Sequence, residues 1–147
     1  VIIHPESIIH SLVHYRDGSV LAQLGMPDMR IPISYTLAWP NRLSVDTPRL
    51  DLIALKTMHF EAPDLQRFPA ITLARHAMNS GGTAPITLNA ANEVAVARFL
   101  KREVGFLQIT QIVESVMSKY NHQTITALED VLLCDREARV MAQAILG

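Results

Sequence analysis

The segment that decides the fold reads DGSVLAQLGMPDMR, residues 17–30. Asp17-Gly18 predicts a two-residue hairpin turn, because a type I′ turn needs positive φ at both central positions. The strand that follows is expected to end at Gly25, and Pro27 then gives a rigid bend into a helix. Bends of this kind often carry side chains that contact ligands. The segment therefore predicts a β-hairpin joined to a candidate binding bend.

The strand before this turn is predicted from the alternation of residues 8–15. A two-residue turn would place Tyr15 opposite Val20 and Val13 opposite Ala22. Both faces would be apolar, so the hairpin is expected to be covered on two sides, by its own domain or by a second subunit. The first residues, Val1-Ile2-Ile3, are typical of a buried strand, and we expect sequence upstream of them.

The segment after the hairpin combines a short helix with a long connection. Pro32 suits the first turn of a helix through Trp39, and Pro40 ends it. Residues 41–63 are predicted to be an extended connection, with a short strand-like piece near residues 55–60.

From about residue 64 the apolar spacing becomes helical. Pro69 and Pro85 each open a predicted helix, and Gly81-Gly82 closes the first of them. The apolar positions expected to face the core are Ile71, Ala74 and Met78 in the first helix, Leu88, Ala91, Ala95 and Phe99 in the second, and Ile109, Ile112, Val113, Val116, Met117 and Tyr120 in the third.

The last part of the chain is predicted to hold two further helical segments. Thr126-Ala127-Leu128-Glu129 has the pattern of a capping box, and Asp135 is expected to cap a final helix through Ala138, Met141 and Ile145. Short connections favour an up-and-down bundle. The predicted fold is therefore α+β: a partial sheet with a hairpin and short helix in residues 1–62, followed by an all-α, four-helix-type bundle in residues 63–147.

Composition excludes several classes of function. The chain has 147 residues and a net charge of −1, which gives no field that would favour nucleic acid or an anionic membrane surface. No apolar run approaches the ~20 residues that span a bilayer. Cys134 is the single cysteine, which excludes an intrachain disulfide and fits a reducing cytosol. Its apolar helical setting indicates a small core residue.

Motifs for metal or nucleotide binding are weak in this sequence. Among six histidines, His10 and His14 are four apart, but the intervening residues lack the Glu of a zinc-protease helix. Ordinary strand histidines are the favoured interpretation, and no metal ligand is assigned. No Gly-x-Gly-x-x-Gly or phosphate loop is present, so the residues alone indicate no dinucleotide cradle.

Two clusters each leave two interpretations open. Asn89, Asn92 and Glu93 share one helix face, either for polar contacts across the junction between domains or for a ligand; the structural interpretation is favoured. The bend residues Pro27 and Met29 are suited to core packing or to the wall of a pocket against a flat ring. Arg30 beside them is expected to form an ion pair rather than to bind an anion.

Five motifs carry a resemblance to a known family. They are HPES at residues 4–7, DGSVLAQLG at 17–25, PDMR at 27–30, AWPNR at 38–42 and LNAANE at 88–93. Together they closely resemble 1-deoxy-D-xylulose 5-phosphate reductoisomerase, almost from end to end. The resemblance implies that residues 1 to about 60 complete the catalytic domain of that family and that the rest is its C-terminal helical domain.

The resemblance also implies an activity and a set of contacts. The family rearranges 1-deoxy-D-xylulose 5-phosphate and reduces the intermediate with NADPH, giving 2-C-methyl-D-erythritol 4-phosphate for isoprenoid synthesis, with Mg²⁺ or Mn²⁺ as Lewis acid. Pro27 and Met29 correspond to apolar contacts beside substrate and nicotinamide. His10 corresponds to a histidine near the reacting centre, and the hairpin to a region that forms a homodimer.

The sequence departs from the family in what it does not contain. The NADPH-binding N-terminal domain, the metal-binding Asp-Ser-Glu motif and the Asn-Lys-Gly-x-Glu motif have no counterpart here. We therefore expect no turnover from these residues alone, and no catalytic residue is assigned to this chain. The full-length protein is expected to be a cytoplasmic bacterial enzyme. The alternative is a non-catalytic module used for dimerisation or helical interaction.

Overall fold

The computed structural model describes residues 1–146 and consists of two compact units, Val1–Pro63 and Asp64–Gly147. They are called the hairpin unit and the helical unit below. The boundary predicted between residues 62 and 63 lies one residue from this division. The α+β class with a following helical domain is confirmed.

The hairpin unit contains one antiparallel pair of strands and two helices. Its elements are β1 (Ile9–His14), β2 (Val20–Leu24), α1 (Arg30–Ala38) and α2 (Leu52–Leu55). Ile8 is the one apolar side chain of this unit that is buried. Apolar burial within residues 1–63 is therefore small.

The hairpin turn has three residues rather than the predicted two. His14 pairs with Val20 and Leu12 with Ala22, so the predicted pairing of Tyr15 with Val20 and of Val13 with Ala22 is wrong by one residue. The amide of Tyr15 donates to the carbonyl of Ser19 at 2.9 Å, and Gly18 takes the left-handed conformation, with φ of +87°. This is the arrangement of a three-residue loop with a glycine bulge.

A local hydrogen bond explains why the longer turn forms. The Asp17 carboxylate accepts from the amide of Ser19 at 2.9 Å and from its hydroxyl at 2.6 Å. These two bonds also hold the pKa of the Asp17 carboxyl below its usual range. The Asp-Gly pair thus predicted the hairpin, while the serine that follows it determined the register.

Two predictions for the rest of this unit have opposite outcomes. The short helix containing Pro32 is confirmed: α1 includes Pro32 and ends at Ala38, one residue before the predicted end. The strand near residues 55–60 is wrong: α2 ends at Leu55, and residues 56–60 form neither helix nor strand. The Asp51 carboxylate caps the start of α2 by accepting from the amides of Ile53 and Ala54, which favours this local helical turn.

The first three residues are exposed rather than buried. Val1 and Ile2 pair with no strand, and Ile3 forms an isolated antiparallel bridge with Glu61. The bridge has two hydrogen bonds, of 2.9 and 3.0 Å. It joins the first residues of the unit to its last, which matters for the site described below.

The helical unit contains four helices, and the second of them is central. They are α3 (Ala70–Ser80), α4 (Ala84–Leu100), α5 (Phe106–Lys119) and α6 (Leu128–Leu146), and α4 packs against the other three. The predicted core positions of α5 are confirmed from Ile109 to Met117. The buried positions of α4 are small: Ala84, Thr87, Ala90, Ala91, Val94 and Ala95. These side chains leave room for three neighbouring helices.

Three details of the helical unit differ from prediction. In α3 the buried side chain is Ala77, whereas Met78 and Ala74 are exposed. α6 is one continuous helix, so Asp135 caps nothing and instead forms an ion pair with Arg139, four residues on. That spacing is favourable within a helix, which is why the aspartate is tolerated there.

The start of α6 is capped by a different acid from the one predicted. Asp130, and not Glu129, accepts from the amides of Thr126 and Ala127 and from the Thr126 hydroxyl. These bonds satisfy amide groups that have no partner within the helix. They also hold the pKa of the Asp130 carboxyl below its usual range.

The loop before α4 touches the loop before α6 at very short range. Thr83 donates its amide to the carbonyl of Gln123, and its hydroxyl accepts from the Gln123 amide, both at 2.9 Å. Gly82 has φ of +52°, and a Cβ placed on it would lie 2.2 Å from that carbonyl oxygen. Only glycine fits this position.

Replacement of Gly82 by alanine should therefore destabilise the helical unit. The positive φ and the clash with backbone together predict a loss of about 2–4 kcal/mol in the free energy of unfolding, measured by urea denaturation. Gly105→Ala is the matched control, because a Cβ there meets only the flexible side chain of Gln108, at 3.4 Å. Equal stabilities for the two variants would contradict this account.

The interpretation of Cys134 as a small core residue also leads to a test. Its side chain is buried, and its thiol lies 3.5 Å from the Thr87 hydroxyl and 3.7 Å from the carbonyl of Thr83. A thiol reagent should modify Cys134 only after the helical unit unfolds, because a buried thiol is inaccessible to the reagent. Rapid stoichiometric labelling of the native chain would show that the thiol is accessible.

Candidate functional site

A tight turn at the start of the chain places two ionisable side chains close together. The amide of Ser7 donates to the carbonyl of His4 at 3.1 Å, which closes a four-residue turn. Pro5 occupies its second position, where the fixed φ of proline favours a turn. The turn brings His4 and Glu6 to the same side, with His4 Nδ1 3.1 Å from Glu6 Oε2.

His4 is the more buried of the two. Its side chain is 7% exposed, and its ring stacks on Phe60 with the centroids 4.9 Å apart. Nδ1 lies 2.9 Å from the carbonyl oxygen of His59, and Nε2 accepts from the amide of Ile8 at 3.1 Å. Both ring nitrogens therefore bond backbone groups, one on each side of the ring.

Glu6 forms the second link to the same distant segment. Its carboxylate contacts His59 Nδ1 through one oxygen and accepts from the His59 amide at 3.1 Å through the other. These hydrogen bonds lower the pKa of Glu6 to about 2. Together with the bridge between Ile3 and Glu61, they fasten residues 3–8 to residues 59–61.

The predicted site residue His10 lies at an irregularity of β1. The pairing shifts between Ile9 and Ser11, so His10 is the extra residue of a β-bulge. A Cβ placed on Gly25 would lie 3.9 Å from His10 Nε2, which puts the imidazole beside the end of β2. Bulges next to functional sites commonly turn a side chain out of the regular pleat.

An open cleft lies along this part of the hairpin unit. It is lined by Val1, Ile2, His4, Ile9, His10, Ser11, Leu12, His14 and Phe60. The imidazoles of His10 and His14 are on exposed positions, and the cleft is otherwise largely apolar. Such a surface offers hydrogen bonds to hydroxyl groups at a few points and apolar contact elsewhere.

The bend after β2 presents the other two predicted residues. Pro27 and Met29 are both exposed, and Met29 is the residue just before α1. Arg30 forms the expected ion pair: its guanidinium bonds both oxygens of Asp28, at 2.6–3.0 Å. This pairing holds the pKa of the Asp28 carboxyl below its usual range. The side chains of Pro27 and Met29 are thus exposed, and the charges of Asp28 and Arg30 are paired with each other.

Two members of the helical cluster Asn89, Asn92 and Glu93 are hydrogen-bonded to each other. Asn89 donates to Glu93 at 3.1 Å, and the other carboxylate oxygen of Glu93 accepts from Arg139 of α6 at 2.6 Å. Asn92 is exposed. Glu93 therefore links α4 to α6 within the helical unit, while the predicted polar contact between domains stays a prediction.

Neither metal binding nor membrane insertion is indicated by the described residues. Within residues 1–146, no group of three His, Cys, Asp or Glu side chains is arranged to hold a metal ion. In the same range, no helix combines the length and apolar character needed to cross a bilayer.

Sequence reasoning missed the contact of His4 and Glu6 with His59 and Phe60. The HPES motif contains a proline, which favours a turn. The partners lie 53 to 55 residues further along the chain, in a segment with no regular pattern. Nothing in the sequence indicates which residues meet the turn.

The two units define an α+β protein with a histidine-containing cleft on a β-hairpin and a separate four-helix unit. The chain belongs to the family described as DXP reductoisomerase C-terminal domain, which matches residues 24–141. It is 52% identical over 146 residues to the 1-deoxy-D-xylulose 5-phosphate reductoisomerase of Zymomonas mobilis, and 51% identical over 147 residues to that of Rhodospirillum centenum.

Solved structures agree with these relationships. A reductoisomerase from Zymomonas mobilis in complex with NADPH matches 99% of this chain with a TM-score of 0.90. A DOX-P reductoisomerase in complex with NADPH, fosmidomycin and magnesium matches with a TM-score of 0.88 at 41% identity. The chain spans only 37–38% of the length of the relatives named above.

The carboxylate of Glu6 should make stability depend on pH in acid. Because its folded pKa is about 2, against an ordinary value of 4.5, the pair with His59 stabilises the fold above pH 4.5, and this stabilisation is lost as the pH falls towards 2. The difference in melting temperature between the native chain and Glu6→Gln should shrink from pH 5 downwards.

A second substitution checks that the effect comes from this pair. In a chain that carries His59→Ala, the further change Glu6→Gln should have a smaller pH-dependent effect, because the imidazole is gone and only the backbone amide of residue 59 still donates to Glu6. A pH-independent difference for Glu6→Gln, or one that is undiminished without His59, would show that another group is responsible.

Proposed function

We propose that this chain is the C-terminal part of an NADPH-dependent oxidoreductase that converts 1-deoxy-D-xylulose 5-phosphate to 2-C-methyl-D-erythritol 4-phosphate. The observation that carries the proposal is the 52% identity, at a TM-score of 0.90, to a reductoisomerase over 99% of this chain. The chain has one cysteine, and its named relatives are bacterial, which supports a cytoplasmic bacterial enzyme of isoprenoid precursor synthesis.

Within that enzyme, His10 is proposed to contact the phosphosugar. Its exposed imidazole projects from a bulge, and it can donate from one nitrogen and accept at the other, which suits the hydroxyl groups of a sugar. Pro27 and Met29 are proposed to form an apolar wall beside substrate and nicotinamide. Their exposure on a rigid bend supports this role, since methionine adapts to a flat ring.

The reaction needs groups that this chain does not supply. NADPH provides the hydride, and the protein only positions it. The ligands for Mg²⁺ or Mn²⁺ are proposed to lie in the rest of the enzyme, because the Asp-Ser-Glu motif of the resembled family has no counterpart in this sequence. The roles left to this chain are to contact substrate and nicotinamide and to hold those contacts in place.

The hairpin is proposed to contribute to a homodimer. Val13 and Leu21 pair across the strands on one face and are both at least half exposed; Val20, on the other face, is also half exposed. Exposed apolar surface of this extent commonly marks a protein interface. With only Ile8 buried in the hairpin unit, burial against a second subunit or against the rest of the enzyme would supply the missing core.

A non-catalytic module for dimerisation or helical interaction is the second candidate. The helical unit favours it, because that unit has a continuous core of its own. Exposed His10, Pro27 and Met29 in one unit favour the enzyme, since a module for association has no need of them.

An assay of two proteins tests the proposal. The 147-residue chain, mixed with 1-deoxy-D-xylulose 5-phosphate, NADPH and Mn²⁺, should leave NADPH absorbance unchanged, because it spans 38% of its relative. The full-length protein that contains it should consume NADPH, and His10→Ala should lower its kcat/KM by about 10²-fold.

His76→Ala is the matched control, because His76 is an exposed histidine of α3. It should leave kcat/KM unchanged. Turnover by the 147-residue chain would refute the division of roles, and an inactive full-length protein would favour the association module.

A further inference from the structure

We propose that His4 is a positioning residue that holds His10 and the Pro27–Met29 bend in their places through a relay of backbone hydrogen bonds. The inference rests on the proposed function for its kinetic consequences. The relay itself is a feature of the fold, and it has its own measurement.

The first step of the relay is the imidazole of His4. Because Nε2 accepts from the amide of Ile8, it carries no proton, and the proton must lie on Nδ1. Nδ1–H then donates to the carbonyl of His59 at 2.9 Å. This assignment follows from the hydrogen-bond partners, both of which are backbone groups. The ring therefore bridges the segment before β1 and the segment at residue 59.

The second step crosses from β1 to β2. The carbonyl of Ile8 accepts from the amide of Gly25 at 3.0 Å, so the residue that His4 holds also holds the end of β2. Ile8 is 5% exposed and is the buried apolar residue of this unit, which leaves its backbone little freedom. Gly25 is followed directly by the bend that carries Pro27 and Met29.

The third step concerns the bulge. An extra residue in a strand can shift along the ladder unless its flanks are fixed, because neighbouring registers have similar hydrogen bonds. The pair of Ile9 with Leu24 and the hydrogen bond between Ile8 and Gly25 fix the flank before His10, and the pair of Ser11 with Gln23 fixes the flank after it. His4 is the side chain that secures the first flank.

Other groups around His4 support this geometry without replacing it. Phe60 stacks on the ring, and Glu6 Oε2 lies 3.1 Å from Nδ1. Neither contacts Nε2, on which the relay depends. Among the described residues, the acceptor for the backbone amide of Ile8 is thus the Nε2 atom of His4.

Two substitutions separate the bonds of the two nitrogens. His4→Gln can place an amide oxygen near the position of Nε2 and keep an acceptor for the Ile8 amide. His4→Asn keeps a donor near Nδ1 for the His59 carbonyl, but it is too short to reach Ile8. Both remove the aromatic ring, so a difference between them reports on the acceptor and not on the stacking.

Amide exchange in the full-length protein labelled with ¹⁵N-glycine tests the relay directly. Exchange at Gly25 should rise at least tenfold in His4→Asn and less than threefold in His4→Gln. The amide of Gly105, in the helical unit, should exchange equally in all three proteins. Equal protection of Gly25 in the two variants would overturn the relay, whatever the activity.

Kinetics in the same proteins test the positioning role. With 1-deoxy-D-xylulose 5-phosphate, NADPH and Mn²⁺, kcat/KM should fall at least tenfold in His4→Asn, whereas His4→Gln should retain at least a third of the native value. In a protein that already carries His10→Ala, His4→Asn should lower kcat/KM by a smaller factor than in the native protein, because the part of its effect that acts through His10 is already lost and only the part through the Pro27–Met29 bend remains.

The outcomes distinguish this inference from the proposed function. If the native protein is active and His4→Asn lowers kcat/KM by the same factor with and without His10→Ala, His4 does not act through His10 and the positioning role is refuted. If Gly25 exchanges faster in His4→Asn but His10→Ala is as active as the native protein, the proposed role of His10 fails, and the positioning proposal fails with it.

Discussion

The geometry of the candidate site depends on hydrogen bonds that hold the two ends of the hairpin unit together. Ile8 is the one buried apolar side chain among residues 1–63, so apolar contacts within these residues do little to select one arrangement of the strands. The imidazole of His4 and the carboxylate of Glu6 instead fasten residues 3–8 to residues 59–61. Directional bonds define positions more sharply than apolar contact, which is non-directional. A site made of a few polar contacts needs that definition.

The helical unit is stabilised in a different way. Its core is continuous across all four helices, and its few buried polar groups are paired, as Thr87 is with the carbonyl of Thr83. Ion pairs such as that of Glu93 with Arg139 lie at the surface and contribute little each. The hairpin unit thus carries the proposed substrate contacts, and the helical unit carries most of the buried apolar side chains and the polar cluster of α4.

The parts of the fold that the sequence predicts are those with a local cause. The period of α5, the proline of α1 and the glycines after α3 all act within a few residues, and each prediction was confirmed. The predicted hairpin register is wrong because Ser19 donates two hydrogen bonds to the Asp17 carboxylate, and these favour a longer turn. The predicted capping role of Asp135 is wrong because aspartate suits both a helix cap and an ion pair within a helix, and here it forms the ion pair with Arg139. The contact between His4 and His59 has no local signal at all, since it joins distant segments.

The alanines of α4 have a consequence for how this chain can vary. At the buried positions of that helix, polarity is tolerated where a partner exists, as Thr87 shows, but added volume is not, because three helices already fill the space around it. Each extra methylene would have to displace a neighbouring helix. Sequence change in the helical unit is therefore expected to be freest in charge on its outer faces and most restricted in side-chain size along one line of α4.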